Sequence, residues 1–412
     1  MKIIHLNFSD ISGGAARAAY RIHHSLLKKG IDSQMWVNKA KSNDWTVKEP
    51  FNYYEKGINE FRTRLINYSI VKMLKTENKI IHSPSILPSS WLKHINNSNA
   101  DVVHLHWTQN EMLSIKDISK ISKPIVWTLH DMWAFCGSEH YTNDNRWIEG
   151  YYPHNRPNYE TGFDLNRWTW QRKRKYWKNS IQIITTSRWL ANCVKKSKLM
   201  HNWPVSVIPT PIDTVYWRPL DKKVARKKLN LPIDVPLILF GADSNLNDPR
   251  KGYDLLLSAL GNLKKNSSAK KFELVVFGHD KPNSPTYFDF PIHYMGKLHD
   301  DEALKTVYSA ADLTIVPSRQ DNLPNVVIEA QACGSPVVAF DVGGLPDIIK
   351  HQKTGYLAKP FDTKDLANGI SSILLNYELG EFKKYSLENI ISNFNEKKIA
   401  QSYLNIYEMI SR

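Results

Sequence analysis

The 412-residue sequence lacks the features of secreted and membrane-embedded proteins. Its three cysteines, Cys136, Cys193 and Cys333, are odd in number and far apart, so neither a disulfide framework nor a Cys-x-x-Cys metal site fits them. No stretch approaches the roughly 18 apolar residues that a membrane-spanning helix needs. Residues 1–5 enter a strand-like run at once, without the charged, apolar and small-residue zones of a signal peptide. These absences favour a cytoplasmic protein.

Acidic residues are scarce relative to basic ones. There are 55 Lys and Arg residues against 40 Asp and Glu residues, which gives a formal net charge of +15. This excess favours an anionic partner, such as nucleic acid, a phosphorylated ligand or an anionic membrane surface. Helix-turn-helix, RRM and zinc-finger patterns are missing, however, and charge alone indicates only nonspecific affinity. We therefore predict no nucleic-acid partner.

Short β-branched runs alternate with longer amphipathic stretches over nearly the whole chain. The alternation predicts strands over 3–8, 34–37, 102–106, 125–130 and 181–185, and then, in a second series, over 237–241, 274–278, 313–317 and 337–340. Helices are predicted between them over 14–29, 113–119, 253–263, 302–310 and 325–333. The segment 138–163 has neither periodicity and is predicted to form an ordered loop insertion. Strands and helices in alternation form parallel sheets with right-handed crossovers. The fold class is therefore α/β, with two doubly wound domains.

Two prolines, Pro209 and Pro211, interrupt a strand-like run between the two series. We place the domain boundary there, with residues 1–210 in one Rossmann-like domain and 211–386 in a second. Residues 387–412 have a helical pattern and are expected to pack back toward the first domain. Ligands of such sheets bind at the carboxyl ends of the strands, so we expect a central cleft between the domains.

Gly13 and Gly14 follow the first predicted strand and open the first helix. Paired glycines let the backbone turn sharply and approach a ligand, and a helix N-terminus offers amide groups to an anion. The spacing matches neither the G-x-G-x-x-G nor the Walker pattern. A tight strand-to-helix turn without a ligand would have the same sequence.

Two further groups of polar residues lie in the second half. Arg250 and Lys251 precede a predicted helix, where two cations could hold a diphosphate, although ordinary surface cations would look the same. Asp321 and Glu329 bracket the start of a helix that begins at Pro324 or at Asn325. An anion bound by the helix amides and hydroxyl groups bound by the carboxylates would together identify a sugar nucleotide.

The segment 316–339 resembles the E-x7-E region of the retaining glycosyltransferases of family 4, which have the GT-B fold of two Rossmann-like domains facing a central cleft. The glycine pair at 13–14, the element 250–252 and the segment 342–347 support the resemblance. The segment 128–135 is further similar to colanic-acid-type exopolysaccharide and O-antigen transferases.

The resemblance implies roles for the residues of the second domain, which would bind the nucleotide sugar. Glu329 would bind the ribose hydroxyls, and Lys251, with Arg250, the diphosphate. The helix tip at Asn325 would stabilise the leaving phosphate. Asp321 occupies the position of the family's first glutamate, near the donor sugar, and is one methylene shorter.

The resemblance also implies roles in the first domain, on the acceptor side. His130 would lie beside the donor sugar, and the backbone of Gly13 and Gly14 near the phosphate or the acceptor. Without the resemblance, His130 would be interpreted as an interior histidine at a strand end.

The implied reaction moves a sugar from a UDP- or GDP-sugar to a glycan acceptor, with retention, in exopolysaccharide, O-antigen or lipopolysaccharide biosynthesis. We expect no metal and no cofactor besides the donor substrate, because no DxD-like motif follows a suitable strand. A polyprenyl-diphosphate-linked acceptor would suit an enzyme bound to the inner face of the plasma membrane. The cationic segments 61–75 and 167–178 favour this location, although solvated helix faces carry similar charge. A sugar-nucleotide 2-epimerase of the same fold and a non-catalytic relative remain alternatives.

Overall fold

The computed structural model describes residues 1–50, 52–241, 248–265, 271–278, 290–298, 300–375 and 379–411, and these form two compact units. The first unit comprises Met1–Thr210 and Ile399–Arg412, and the second comprises Pro211–Lys398. Each contains a parallel sheet with apolar clusters on both faces. The prediction of two doubly wound α/β domains is confirmed.

The main sheet of the first unit is parallel throughout. The strands of this unit are β1 (Lys2–Ser9), β2 (Asp32–Lys39), β3 (Val47–Lys48), β4 (Leu74–Thr76), β5 (Val102–Leu105), β6 (Ile125–Leu129), β7 (Glu160–Gly162), β8 (Gln182–Thr185) and β9 (Val205–Val207). Their order in the sheet is β3-β2-β1-β5-β6-β8-β9, while β4 and β7 form a separate antiparallel pair. The helices are α1 (Gly14–Leu27), α2 (Tyr53–Ser69), α3 (Trp91–Asn96), α4 (Ile115–Ile118), α5 (Arg146–Glu149), α6 (Leu165–Tyr176) and α7 (Arg188–Lys196).

The second unit has a parallel sheet in the order β12-β11-β10-β13-β14-β15. Its strands are β10 (Leu237–Gly241), β11 (Glu273–Phe277), β12 (Ile292–Tyr294), β13 (Leu313–Val316), β14 (Val337–Phe340) and β15 (Gly355–Ala358). The remaining helices of the chain are α8 (Lys222–Lys228), α9 (Tyr253–Lys265), α10 (Asp301–Ala310), α11 (Asn325–Ala332), α12 (Leu345–Ile348), α13 (Thr363–Leu375), α14 (Leu379–Asn393) and α15 (Glu396–Ile410). Among the described residues, no helix is both long and apolar enough to cross a bilayer.

Alternate residues of each central strand face opposite layers of the first unit, because side chains alternate across a strand. Ile3, Val102 and Val126 pack in one apolar cluster with residues of α1 and α15, while Ile4 and Val103 pack in the other. Strands buried on both faces have near-continuous apolar sequences. This is why the sequence pattern predicts the strands well.

The C-terminal segment differs from the prediction of one helix over 387–412. Two helices, α14 and α15, are separated at Phe394 and Asn395. The amide of Ile212 donates to the carbonyl of Phe394 at 2.9 Å, and the Asn395 side chain accepts from the amide of Lys397 at 2.9 Å. The hydrogen bond from Ile212 to the Phe394 carbonyl and the local turn formed by Asn395 together interrupt the helix.

Candidate functional site

The second unit brings Lys251 and Asp321 into direct contact. Lys251 lies in a short 3-10 turn, Pro249–Lys251, and Asp321 lies in the loop after β13. The Lys251 Nζ donates to the Asp321 Oδ2 at 2.7 Å, and the two side chains are 26% and 11% exposed. One of the predicted cations therefore pairs with one of the predicted carboxylates, across 70 residues of sequence.

Arg250 is held within its own turn. Its Nη2 donates to the Asp248 Oδ2 at 2.7 Å, and its carbonyl accepts from the amide of Arg319 at 2.7 Å. The Arg319 guanidinium in turn makes a bidentate ion pair with Asp254, at 2.5 and 2.7 Å. Arg319 lies inside the motif 316–339, but no sequence pattern indicates its pairing with Asp254.

Two glycines allow the loops around Asp321 to approach closely. Gly252 has φ +66°, and a Cβ there would lie 1.9 Å from the carbonyl oxygen of Pro317. Gly343 has φ +58°, and a Cβ there would lie 2.1 Å from the carbonyl oxygen of Asp321. Any side chain at either position would push the Asp321 loop away from its neighbour.

Glu329 lies inside α11 and is only 3% exposed. Its Oε2 accepts a hydrogen bond of 3.0 Å from the hydroxyl of Tyr308, on α10. The helix begins at Asn325, after Pro324, and none of the described side chains caps it. The helix tip and Glu329 thus share one short element, but no sequence pattern indicates Tyr308 as the partner of Glu329.

His130 lies in the first unit, directly after β6, and is partly buried. Burial lowers the pKa of His130 to about 4, against a smaller raising effect of Asp131. The ring is therefore neutral at physiological pH, and its Nε2 lies 3.2 Å from the Nδ1 of His106. Strand β6 was predicted to include His130, but it ends one residue earlier at Leu129.

A second network fixes the residue after His130. The Asp131 Oδ2 accepts from His140 Nδ1 at 2.6 Å and from Trp107 Nε1 at 3.0 Å. The His140 Nε2 lies 2.9 Å from the Ser83 Oγ. Burial alone would raise the pKa of Asp131, but His140 and the other hydrogen bonds outweigh it and lower the pKa. Because Ser83 is also buried, we interpret this Ser-His-Asp arrangement as support for the loop rather than as a nucleophile.

Gly13 and Gly14 lie at the start of α1, as predicted. Gly13 precedes the helix with φ +90°, and a Cβ there would meet no atom within 4 Å. The neighbouring Asp10 accepts hydrogen bonds from the amides of Lys41 and Ser42, at 2.9 and 2.7 Å. Asp10 thus connects the glycine turn to the loop after β2, a role that no sequence pattern indicates.

The basic segment 167–178 is less exposed than its sequence suggests. Lys173 of α6 is fully buried, and its Nζ donates to the carbonyls of Trp133, of Cys136 at 3.1 Å and of Gly137 at 2.7 Å. Arg172 donates to two backbone carbonyls at 2.7 and 3.0 Å. These two charges hold the protein together and are not offered to a partner.

The predicted insertion 138–163 is ordered by buried charge. Arg146 of α5 makes a bidentate ion pair with Glu160 of β7, at 2.8 and 3.0 Å, and also contacts Asp144 at 2.9 Å. Glu139 accepts a hydrogen bond from Tyr151, and burial raises the pKa of this carboxyl to about 7. The segment was predicted as a loop, but it contains α5 and β7.

Within the described part of the chain, two groups of side chains have nitrogen or oxygen atoms within 4.8 Å of one another, as in a metal site. They are His5, His104 and His106, and His23, His24 and Asp44. Most of the ring nitrogens already take part in hydrogen bonds to neighbouring side chains. We therefore assign these groups to hydrogen-bond networks.

Sequence models of two domain families match the chain. The model described as Glycosyltransferase Family 4 matches residues 12–216, and the one described as Glycosyl transferases group 1 matches residues 236–376. Together they span most of both units.

Curated relatives match part of the chain. D-inositol 3-phosphate glycosyltransferase 2 of Catenulispora acidiphila is 30% identical over 217 residues, which is 49% of this chain and 50% of the relative. An uncharacterized glycosyltransferase of Methanocaldococcus jannaschii is 27% identical over 251 residues, which is 56% of this chain and 60% of the relative. The chain thus spans about half the length of the curated relatives it matches.

Solved structures match the whole chain at low identity. Sucrose-phosphate synthase of Thermosynechococcus elongatus has a TM-score of 0.67 at 19% identity, with 99% of both chains covered. Anabaena HepE in complex with UDP and glucose has a TM-score of 0.62 at 15% identity, again with 99% of both chains covered. These likenesses establish the GT-B fold.

Proposed function

The chain belongs to the family 4 glycosyltransferases, and on that premise we propose that it transfers a sugar from a nucleoside diphosphate sugar to a glycan acceptor, with retention of anomeric configuration. The observation that carries the proposal is the contact of Lys251 with Asp321, beside the helix that holds Glu329. One cation, one helix tip and two carboxylates provide complementary groups for a diphosphate and for sugar hydroxyls. The similarity of segment 128–135 to the colanic-acid-type enzymes stays a prediction.

The chemistry follows from the charges that develop during transfer. The leaving diphosphate gains negative charge while the sugar becomes oxocarbenium-like. Lys251, Arg250 and the N-terminus of α11 can stabilise the phosphate with preorganised groups. The departing phosphate oxygen then takes the proton of the acceptor hydroxyl on the same face of the sugar. A divalent ion is not needed for this, so we expect turnover to persist in a chelator; loss of turnover restored by magnesium or manganese would contradict that.

The two carboxylates should have opposite effects on binding. In the unliganded protein Asp321 competes with a diphosphate for Lys251. Such a partly exposed ion pair is worth about 1 kcal/mol, so Asp321→Asn should strengthen inorganic pyrophosphate binding about fivefold while it reduces sugar transfer. Glu329→Gln should leave pyrophosphate binding unchanged and weaken the binding of UDP or GDP, because it alters the ribose contact.

Calorimetry with pyrophosphate, UDP and GDP tests these expectations. Lys251→Ala should weaken the binding of all three ligands by more than about tenfold, the worth of a charge-assisted hydrogen bond. Lys222→Ala is the matched control, because Lys222 pairs with Asp312 at 2.6 Å in the same unit. Equal losses in both lysine variants would overturn the assignment.

An acceptor assay separates transfer from the alternatives. A transferase releases UDP or GDP from its donor only when an acceptor glycan is present. A 2-epimerase would convert the donor sugar without an acceptor, and a non-catalytic relative would bind the donor without turnover. The Lys251→Ala variant should lose the acceptor-dependent release.

We also propose that the acceptor is linked to a lipid diphosphate and that the protein binds anionic membranes through α2. One face of this helix, which we call the α2 stripe, consists of five large exposed side chains: Tyr54 (81% exposed), Ile58 (57%), Phe61 (63%), Leu65 (44%) and Tyr68 (74%). Arg64 and Lys72 lie beside it and are also exposed, and the Lys72 Nζ lies 3.9 Å from the ring of Tyr68. An apolar face with flanking cations is typical of a helix that lies in the headgroup region.

Vesicle flotation tests this location at the inner face of the plasma membrane. Replacing Ile58 and Phe61 with serine should weaken binding to anionic vesicles by roughly 30-fold, about 2 kcal/mol for two partly exposed side chains. The matched control replaces Val215 and Val224, which are 77% and 62% exposed in the second unit. Concentration-dependent dimerisation abolished by the same serine variant, without vesicle binding, would instead assign the stripe to a second copy of the chain.

A further inference from the structure

Four histidines lie on one face of the central sheet of the first unit, beneath α1 and α15. His5 lies on β1 and His104 on β5, while His106 and His130 come directly after β5 and β6. His5, His104 and His106 are fully buried and His130 is partly buried, and burial lowers the pKa of each ring. Their rings are therefore neutral, and each carries one N–H proton.

Three of these histidines form a continuous chain of hydrogen bonds, which we call the histidine relay. The His130 Nε2 lies 3.2 Å from the His106 Nδ1, and the His106 Nε2 lies 2.9 Å from the His5 Nδ1. Adjacent rings are nearly parallel, with interplanar angles of 26° and 22°. His104 stands outside the relay, since its nitrogens bond to Tyr407 and to Thr128, both at 2.7 Å.

Proton counting leaves two arrangements for the relay. Each ring has one proton, and each of the two hydrogen bonds uses one. In the first arrangement His130 donates to His106, His106 donates to His5, and the third proton lies on the His5 Nε2. In the second arrangement every donor is reversed, so that the third proton lies on the His130 Nδ1.

The environment of His5 distinguishes the two arrangements. Its Nε2 is buried and has no hydrogen-bond partner among the described residues. A buried N–H without an acceptor costs the desolvation of a donor, and such orphaned donors are rarer in proteins than unused acceptors. The second arrangement avoids this donor, because it leaves the His5 Nε2 unprotonated.

We propose that the histidine relay fixes His130 as a neutral ring protonated at Nδ1, a hydrogen-bond donor to an oxygen of the donor substrate. His5 and His106 are then positioning residues, which act through His130. The tautomer rests on the geometry of the relay. Its target oxygen rests on the proposed function.

NMR of the full chain labelled with 15N-histidine tests the tautomer without any activity measurement. Long-range proton–nitrogen spectra distinguish a protonated from an unprotonated ring nitrogen. We expect the His130 Nδ1 to be protonated and both its Nε2 and the His5 Nε2 to be unprotonated. A His130 protonated at Nε2, or a charged ring at neutral pH, would overturn the proposal even if sugar transfer is demonstrated.

Variants of His106 test the relay itself. In His106→Leu we expect the two His130 tautomers to become mixed and kcat/KM to fall on the order of tenfold, the worth of one hydrogen bond. His106→Gln, which can both accept and donate, should restore the Nδ1 tautomer and most of the activity. The matched control His104→Asn, equally buried, should leave the His130 tautomer unchanged. An unchanged tautomer in folded His106→Leu would contradict the relay, and absence of sugar transfer in the parent protein would contradict the proposed function alone.

Discussion

Mild acid should destabilise the first unit, because that unit buries several histidines in the neutral state. Burial lowers the pKa of His82 and of His130 to about 4 and that of His23 to about 3, from an ordinary value of 6.5. Since the folded values lie below the unfolded one, the unfolded chain binds more protons between about pH 4 and 6.5. The free energy of unfolding must therefore fall as the pH is lowered through this window.

The size of the effect follows from the pKa differences. At pH 5 an unfolded histidine is almost fully protonated and these folded ones are not, so each contributes a loss of about 2 kcal/mol. Glu139 acts in the opposite sense, because its pKa is raised to about 7, and it returns about 2 kcal/mol between pH 7 and pH 5. The net loss is about 4 kcal/mol, before the other buried histidines add to it. For comparison, the whole free energy of unfolding of a typical domain is about 5–15 kcal/mol.

Urea denaturation at pH 7, 6 and 5, followed by tryptophan fluorescence, measures this loss. Carboxylates with a lowered pKa, such as Asp131, lose their contribution only below about pH 4 and do not interfere. His82→Gln should reduce the loss by about 2 kcal/mol, and the exposed His201→Gln should not change it. An unfolding free energy that is the same at pH 7 and pH 5 would refute the reasoning.

Three substitutions test other contacts. Lys173→Met should lower the free energy of unfolding by about 3–5 kcal/mol, because three buried carbonyls lose their donor. Urea denaturation measures this loss. An unchanged free energy of unfolding would mean that water replaces the ammonium group. Gly252→Ala should weaken pyrophosphate binding more than about tenfold, since the new Cβ would clash with the carbonyl of Pro317. Calorimetry measures the affinity, and an unchanged value would mean that the turn does not form part of the pyrophosphate site. Tyr308→Phe should cost about 1 kcal/mol of UDP or GDP affinity through loss of its bond to Glu329, and an unchanged dissociation constant would place Glu329 outside the ribose site.

The sequence predicts the sheets well because parallel strands are buried on both faces. Strands β10 and β14 have the predicted bounds, and both are continuous apolar runs. The same pattern does not show where hydrogen bonding passes from the strand to a side chain. After β5 the amide of Trp107 donates to the Asn7 side chain at 2.8 Å, and the strand, which was predicted to run to His106, ends at Leu105.

Charge runs were harder to interpret than apolar runs. The segment 167–178 contains six basic residues, and the sequence cannot indicate which of them are buried. In α6 Lys173 is an interior residue, whereas Arg174 and Lys175 are exposed. The difference arises from helix periodicity together with the carbonyls that happen to face Lys173. Those carbonyls belong to a loop about 40 residues earlier in the chain.

The hydrogen bonds that hold the loop after β6 show why contacts between distant residues cannot be predicted from a sequence pattern. Asp131 is positioned by His140, nine residues later, and His140 contacts Ser83, which lies 57 residues before it. The segment around His140 has no periodicity, because its order comes from buried polar contacts rather than from an apolar face. If His130 contacts the donor substrate as proposed, this insertion acts on the reaction by holding Asp131, the next residue. A segment without a secondary-structure signal would then be as necessary for the site as the strand that precedes it.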